Sequence, residues 1–293
     1  MLEHIATLAY TQIHDHFQAR KKELGMENFA RLDSKCRLKG AKITLPEAAC
    51  LLVLFQASGC PHFKRFLDWN RPRPLRLFPT LPAYSRLCKW VQKAEQLLLD
   101  RAFAGRAAPG PREALHAVDS TKVDPHKDKN MPKSLRKATG FGRTHEGFFV
   151  GLKLRLLADL EGRVAAFDLT QGNRHDLDPV KGGMLDGFKG RAWAGSGCVS
   201  AQVRQDLKAQ GLDLRAKPTL QMEDERWIFD RIWAKDHRRR QVVEGVFGRL
   251  KSLFGLASRS VRSAASLRSR VRASLAACMW LPPASKWAEG AIS

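Results

Sequence analysis

Two acidic residues stand where a side chain could carry chemistry, and the first is Asp119. It follows the short apolar run Leu115 to Val118, which predicts a β-strand, and basic sequence comes after it. Sheets often present functional groups at the ends of their strands, so this carboxylate is a candidate catalytic group. An Asp after a strand is also a common turn residue or helix cap. The residue alone therefore leaves both interpretations open.

The second acidic residue is Glu244, which two basic residues accompany at helical spacing. Arg240, Glu244 and Lys251 stand at i−4, i and i+7 of a helix predicted over Arg239 to Phe254, so they lie along one side of it. An apolar stripe would pack this helix on a sheet and bring Glu244 to the sheet edge: Val243, Val246, Phe247, Leu250 and Leu253. A solvated helix with an Arg240–Glu244 ion pair is the structural alternative.

The elements that must position these residues are predicted from the second half of the chain. Phe148 to Leu157 and Val164 to Leu169 are rich in β-forming residues, and the turn Asp159 to Gly162 joins them into a hairpin. Short apolar segments predict strands at Ala192–Trp193 and Leu212–Leu214. Helical spacing predicts helices over Val199–Ala209 and Ser263–Trp280. This half therefore combines strands and helices.

The first hundred residues predict helices only. Residues 2–17 place apolar side chains on one helical face, and Thr44 with Glu47 forms a capping box that opens a helix ending near Phe55. A further helical pattern covers Ala83 to Phe103, before the Pro- and Gly-containing linker Ala107 to Pro111. Such a basic helical module could bind DNA, and a packing or dimerisation domain explains it equally well.

The chain is strongly basic over its whole length. It has 51 Lys and Arg against 29 Asp and Glu, a net charge of +22. Residues 1–111 contain 18 basic and 9 acidic residues, and the remainder contains 33 and 20. Lys and Arg gain most by displacing the counterions condensed on nucleic-acid phosphates, so the balance favours a nucleic-acid partner over a membrane.

Neither a membrane span nor a cysteine-based site is predicted. No stretch approaches the roughly 20 apolar residues that cross a bilayer, and the N-terminus lacks the basic start of a secretory signal. The six cysteines form no C-x-x-C pair, which argues against a zinc site or a disulfide framework. We therefore expect a cytoplasmic protein with reduced thiols.

Four segments follow one another in an informative order: His116–Thr121, Gly147–Leu154, Thr170–Asp176 and Arg240–Lys251. They resemble successive motifs of the DDE transposases of bacterial insertion sequences. The likeness extends over about residues 75–280, and its most diagnostic part is the Arg-x3-Glu-x6-Lys signature of the last segment.

The resemblance implies an α+β fold with a ribonuclease H-like mixed five-stranded sheet flanked by helices, preceded by an all-helical N-terminal domain. The implied domains are residues 1–108 (helical), 112–282 (ribonuclease H-like) and 283–293 (a tail). In this family three carboxylates hold two divalent ions, Mg²⁺ or Mn²⁺, which suit hard oxygen ligands. By likeness Asp119 would bind both ions and Glu244 the second, while Arg240 and Lys251 would hold DNA phosphates.

The chain departs from the family at the middle carboxylate. The family motif resembles G-D-K-G-Y-I-S, whereas this chain has Ala194-Gly195-Ser196-Gly197-Cys198-Val199-Ser200. Gly195 thus stands where the Asp belongs. Asp176 is the nearest substitute in sequence, but the family has an Asp of its own at that turn beside the missing one. We therefore expect little or no activity from the native chain.

The basic run Lys122 to Arg143 predicts a loop that DNA would order, with Lys133, Lys137 and Arg143 on phosphates. A plain solvated loop is the alternative. No interleaving of aromatic and basic residues indicates base stacking, so base readout is expected from the helical N-terminal domain.

Three functions remain on sequence alone. The first is a metal-dependent transposase that cuts the ends of its element and joins them to target DNA, acting as a homodimer in the nucleoid. The second is a catalytically dead DNA-binding protein derived from one, for which Gly195 is the main support. The third, a basic nucleic-acid-binding protein of other ancestry, explains the charge but not the ordered motifs.

Overall fold

The computed structural model describes residues 2–23, 43–70, 78, 81–89, 114–125, 131–144, 147–195, 200–217, 234, 238–256, 261 and 263–281. The chain divides into two compact units. The first contains residues 1–102, 250–260 and 268–293, and the second contains residues 103–249 and 261–267. The predicted linker at 107–111 and the tail at 283–293 lie outside the described residues. The division into domains 1–108, 112–282 and 283–293 stays a prediction.

The described residues of the first unit between 2 and 89 form helices joined by turns and contain no strand. Helix α1 spans Leu2–Glu23, α2 spans Leu45–Ala57, α3 spans Phe63–Asn70, and residues 84–89 are also helical. The predicted capping box is confirmed, because the Glu47 carboxylate accepts from the Thr44 backbone N–H at 2.5 Å and the Glu47 N–H donates to the Thr44 hydroxyl at 3.4 Å. The second part of the helix predicted over 83–103 lies outside the described residues.

The second unit is built on a six-stranded sheet. Its strands are β1 (Leu115–Val123), β2 (Gly140–Thr144), β3 (Gly147–Asp159), β4 (Val164–Gln171), β5 (Gly190–Ala194) and β6 (Leu212–Ala216). Five of them lie in the order β4-β3-β1-β5-β6. Strand β3 runs antiparallel to β1 and β4, whereas β5 and β6 run parallel to β1. This is the mixed five-stranded sheet that the sequence predicted, with β2 added.

Helices complete the two units. They are α4 (Lys133–Ala138), α5 (Asp178–Lys181), α6 (Ala201–Ala209), α7 (Gln241–Ser252) and α8 (Ala264–Trp280), and a 3₁₀ turn at Arg238–Arg240 precedes α7. The hairpin, the two short strands and the late helices were therefore predicted correctly. Among the described residues no helix is both long and apolar enough to cross a membrane.

Side chains alternate along the strands, so the sheet has two distinct faces. One face carries Val118 and Leu157, which pack with α5, α6 and the strands β5 and β6 in an apolar core. The other carries Asp119 and its β3 neighbour Leu156. We call the side of Asp119 the site face and the side of Val118 the core face.

The predicted loop over Lys122–Arg143 is wrong for most of its length. Strand β1 continues through Val123, and the segment then forms α4 and β2 where it is described. Residues 126–130 lie outside the described part. The glycines that suggested a loop instead permit close packing, because a Cβ on Gly142 would lie 2.6 Å from the Phe149 ring. Lys133, Lys137 and Arg143 are therefore exposed on ordered elements.

Candidate active site

The residues Asp119 and Gly195 follow paired positions of two parallel strands. In the β1–β5 register Val118 is opposite Ala194, so the next residue of each strand is Asp119 and Gly195. Because side chains alternate, both positions belong to the site face. The place predicted for the middle carboxylate is thus beside the first carboxylate.

Arg240 joins the two acidic residues that the sequence singled out. Its Nη1 donates to Asp119 Oδ2 at 2.5 Å, and its Nη2 donates to Glu244 Oε1 at 2.9 Å. The 3₁₀ turn before α7 places this guanidinium, and Glu244 follows one helical turn later. The Arg240–Glu244 ion pair of the structural alternative is present, but the contact with β1 makes it part of a three-residue cluster.

The electrostatics of Asp119 disfavour its charge. Burial raises the pKa of this carboxyl above its ordinary value of 3.8 and outweighs the opposing effects of the Arg240 guanidinium and of the Ser120 N–H, which donates at 2.9 Å. The charge of nearby Glu244 raises the pKa further. An acid held this way gains from additional positive charge, which is typical of a cation-binding or catalytic position.

Gly195 leaves space on the site face. A Cβ built at this residue meets no heavy atom within 4 Å, and its backbone does not have a positive φ. Neither crowding nor conformation therefore requires glycine here. A methyl group at this position would meet no neighbouring atom. Residues 196–199 lie outside the described residues, and among them is Cys198, which stands where the family motif has Tyr.

The carboxylates of the described site do not fit two divalent ions. Asp119 and Glu244 supply oxygen ligands of the kind Mg²⁺ and Mn²⁺ prefer, and both contact one guanidinium. Yet nowhere in the described parts of the chain do three or more His, Cys, Asp or Glu side chains form a group that could hold a metal. Within the part of the chain that the structure describes, this pair lacks a third ligand.

Asp176 does not supply that ligand. Its carboxylate pairs with Lys153 Nζ and Arg155 Nη2, each at 3.2 Å. Arg155 is opposite Ser120 in the β1–β3 register, so it projects from the core face. Asp176 therefore belongs to an ion-pair cluster on the opposite side of the sheet from Asp119.

The other predicted DNA-binding cations lie apart from the carboxylates in sequence and structure. Lys251 is exposed on α7, about two turns after Glu244, and Lys133 and Lys137 are exposed on α4. Arg143 is exposed on β2. Their places suit contact with an extended polyanion rather than with the carboxylates themselves.

An aromatic and basic cluster on β2 and β3 was not predicted from the sequence. Phe141 and Phe148 stack on each other with ring centroids 5.2 Å apart, and the Arg143 guanidinium lies over the Phe148 ring at 5.5 Å. The expectation that aromatic and basic residues do not interleave was therefore wrong. The contact forms across the β2–β3 pair, and the only sequence signal was a Phe-x-Arg segment shortly before Phe-Phe.

Comparison with known proteins settles the ancestry of this arrangement. A family model described as "Transposase DDE domain" matches residues 110–264, more than half of the chain. The chain belongs to the DDE transposase family. No curated protein matches it. The matched residues of this transposase include Asp119, Gly195, Arg240 and Glu244.

A solved structure supports the fold of the transposase. The cryo-EM structure of a piggyBac transposase synaptic complex with hairpin DNA is similar with a TM-score of 0.51. The similarity covers 98% of this chain and 75% of that chain, at 8% sequence identity. At so low an identity the likeness concerns the fold alone.

Proposed function

We propose that this transposase binds the ends of a bacterial insertion sequence and that Gly195 has disarmed its catalytic site. The supporting observation is the open Gly195 position, beside Asp119 in strand register and on the same face of the sheet. Two members of a three-carboxylate site remain and are clustered by Arg240, while the third position has space but no side chain. Native cleavage and strand transfer are therefore expected to be weak or absent.

The two remaining carboxylates have defined roles in this proposal. Asp119 and Glu244 are the two ligands that remain, and they would hold the divalent ions only with a third carboxylate beside them. In such sites the ions activate the attacking oxygen and stabilise the leaving oxygen of a phosphoryl transfer. With one anionic ligand missing, affinity for two dications falls, and activity falls by orders of magnitude. Arg240 pairs with both carboxylates in this structure. To hold a DNA phosphate it would exchange a charge-assisted contact with a carboxylate for one with the phosphate.

The basic surface supports DNA as the partner. The net charge is +22, and Lys133, Lys137, Arg143 and Lys251 are all exposed. With several phosphate contacts, affinity should fall by roughly a thousandfold or more between about 50 and 200 mM salt. We further propose a homodimer, because two element ends must be processed together, and a place in the cytoplasm at the nucleoid.

A catalytically dead DNA-binding protein is the second candidate, and the absent side chain at Gly195 is the observation that favours it. In this form the chain would recognise element ends without cutting them and could act as a repressor. Both candidates bind the same DNA. They differ in whether a carboxylate restored at position 195 restores cleavage with divalent ions.

The test is Mg²⁺- or Mn²⁺-dependent nicking of the DNA that flanks the gene. Native protein is compared with Gly195→Asp, with Gly195→Asn as an uncharged control of equal size. A second control, Asp119→Asn in the Gly195→Asp background, removes a remaining carboxylate. We expect cleavage by Gly195→Asp alone. Equal cleavage by the native chain would contradict the assignment of Gly195, and selective end binding without cleavage by any variant would favour the dead DNA-binding protein.

A further inference from the structure

The β2–β3 strand pair exposes an apolar and aromatic surface. Phe141 and Phe148 are 63% and 67% exposed, far more than large apolar rings usually are, and Val150 is 37% exposed. Phe141 is opposite Val150 in the strand register, and Arg143 is opposite Phe148. We call these four residues, Phe141, Arg143, Phe148 and Val150, the aromatic platform.

The platform belongs to the same side of the sheet as Asp119. Asp119 is opposite Leu156 on β3, and counting in twos along that strand reaches Val150 and then Phe148. Six to eight residues at about 3.3 Å each place the platform roughly 20–26 Å from Asp119 along the strand. A DNA strand with a spacing of about 3.4 Å per nucleotide would cover this in some six to eight nucleotides.

Close packing on the core face fixes the platform. A Cβ on Gly140 would lie 2.8 Å from the backbone nitrogen of Asn173, and one on Gly142 would lie 2.6 Å from the Phe149 ring. The backbone behind the exposed rings thus rests directly on neighbouring atoms. The two phenyl rings stack on each other at an interplanar angle of 19°, so a further flat group could extend a stack that is already formed. Such preorganisation lowers the entropic cost of binding another flat group.

The surroundings of the platform are basic. Residues 131–150 contain Lys133, Arg136, Lys137 and Arg143 and a single acidic residue, Glu146. All four cationic side chains are exposed. An occupant that is both anionic and rich in flat apolar rings matches this combination, and single-stranded or unpaired nucleic acid has both properties. An apolar protein surface would match the rings but would leave the positive charge without a partner.

We propose that the aromatic platform stacks an unpaired base of the DNA strand that leads to the Asp119 site. This inference rests on the proposed function, because it assumes that DNA lies along the site face. Stacking on aromatic rings accepts any base, since every base has a π-face, and Arg143 adds a cationic contact. The platform would therefore hold a DNA end whose strands have separated near the site.

Fluorescence of 2-aminopurine tests the inference with the full-length chain. The probe is placed in turn at each position of a ten-nucleotide single-stranded extension on a short DNA duplex. Native protein should quench the probe at one or two positions. The double variant Phe141→Leu/Phe148→Leu keeps apolar bulk but has no aromatic face, so quenching should be lost and affinity should fall about tenfold or more. Phe141→Trp/Phe148→Trp should retain both.

Trp69→Leu is the matched control for the quenching alone, because Trp69 is also 63% exposed and has the Arg65 guanidinium 5.7 Å from its ring. It should leave the quenched positions of the probe unchanged. Equal quenching by the native and the Leu variants would overturn the platform but leave DNA binding intact. A change of oligomeric state in Phe141→Ala/Phe148→Ala, without a change in quenching, would also overturn it in favour of contact between copies. Failure of the native chain to bind any DNA at 50 mM salt would instead overturn the proposed function and the platform with it.

Discussion

The two faces of the central sheet differ in how their charged groups are paired and in how tightly they are packed. On the core face Arg155 is almost fully buried and donates to Thr170 Oγ1, to the carbonyls of Arg174 and His175 at 3.0 and 2.9 Å, and to Asp176. On the site face Asp119 has a raised pKa, and Gly195 has open space. The contacts of Arg155 stabilise the fold. On the site face, by contrast, the Asp119 carboxylate would gain from further positive charge, and the space at Gly195 is left for another group.

The glycines on the two faces show the same difference. Gly140 and Gly142 support β2, and neither has room for a Cβ without displacing a neighbour. A Cβ on Gly195 would meet no heavy atom within 4 Å. A glycine that packing requires is structural, and one that packing does not require is compatible with the loss of a functional side chain.

The largest effect is expected from Arg155→Met. Removing the buried guanidinium takes a donor from the carbonyls of Arg174 and His175 and an ion-pair partner from Asp176, so the free energy of unfolding should fall by roughly 3–5 kcal/mol in urea denaturation. Arg163→Met is the control, because Arg163 pairs with Asp159 and Glu161 at the surface with its side chain 58% exposed. That change should cost no more than about 1 kcal/mol. If both variants lose similarly little free energy of unfolding, the structural role of the core face is contradicted.

The next largest effect distinguishes a glycine that packing requires, Gly142, from one that it does not, Gly195. Gly142→Ala pushes a methyl group against the Phe149 ring, and overpacking of this kind costs about 1–3 kcal/mol in the free energy of unfolding. Gly195→Ala meets no atom and should change it by less than about 0.5 kcal/mol. Both values come from the same denaturation experiment. A large loss for Gly195→Ala would mean that the fold does require glycine there.

A smaller effect is expected from Asp119→Asn, measured without divalent ions. Because the folded-state pKa of Asp119 is raised, the native chain loses stability as the pH rises from the ordinary value of 3.8 through the raised value. The Asn variant has no such loss. It should therefore unfold at a higher urea concentration than the native chain at pH 7, and the difference should shrink at acid pH. A variant that is less stable at pH 7 would show that Arg240 outweighs burial.

The smallest effect concerns single phosphate contacts. Arg143→Gln, on the site face, should weaken DNA binding several-fold and reduce the slope of log affinity against log salt by about one. Arg174→Gln is the control, since Arg174 is also exposed but lies in the turn beside Arg155 of the core face. It should leave the slope unchanged. Equal effects of the two changes would mean that DNA does not prefer the site face.

Local patterns in the sequence predicted much of this fold. The alternation and turn residues of β3 and β4 are local, and so is the capping box of α2, because each depends on residues a few positions apart. The site was predicted in part: the helical spacing joins Arg240 to Glu244, and the family motifs add Asp119 and Gly195. The bridge from Arg240 to Asp119 joins residues 121 positions apart, so spacing alone does not reveal it.

The errors have a common physical cause. Strand β2 was taken for a loop because its glycines and the preceding Pro suggest turns, and the packing that selects glycine at Gly140 and Gly142 comes from Phe149 and the turn at Gly172–Asn173. The aromatic platform was missed for the same reason. Phe141 and Phe148 meet only when β2 pairs with β3, and that pairing was not predicted.

The most direct test of the missing carboxylate is binding of Mn²⁺, because it needs no knowledge of the element ends. Free Mn²⁺ is measured by electron paramagnetic resonance in titrations of native protein, Gly195→Asp and Gly195→Asn. A third anionic ligand beside Asp119 and Glu244 should tighten Mn²⁺ binding by about tenfold or more in Gly195→Asp, and the Asn control should bind like the native chain. Equal affinity of the native chain and Gly195→Asp would contradict the account, because the side chain at 195 would then not belong to the metal site.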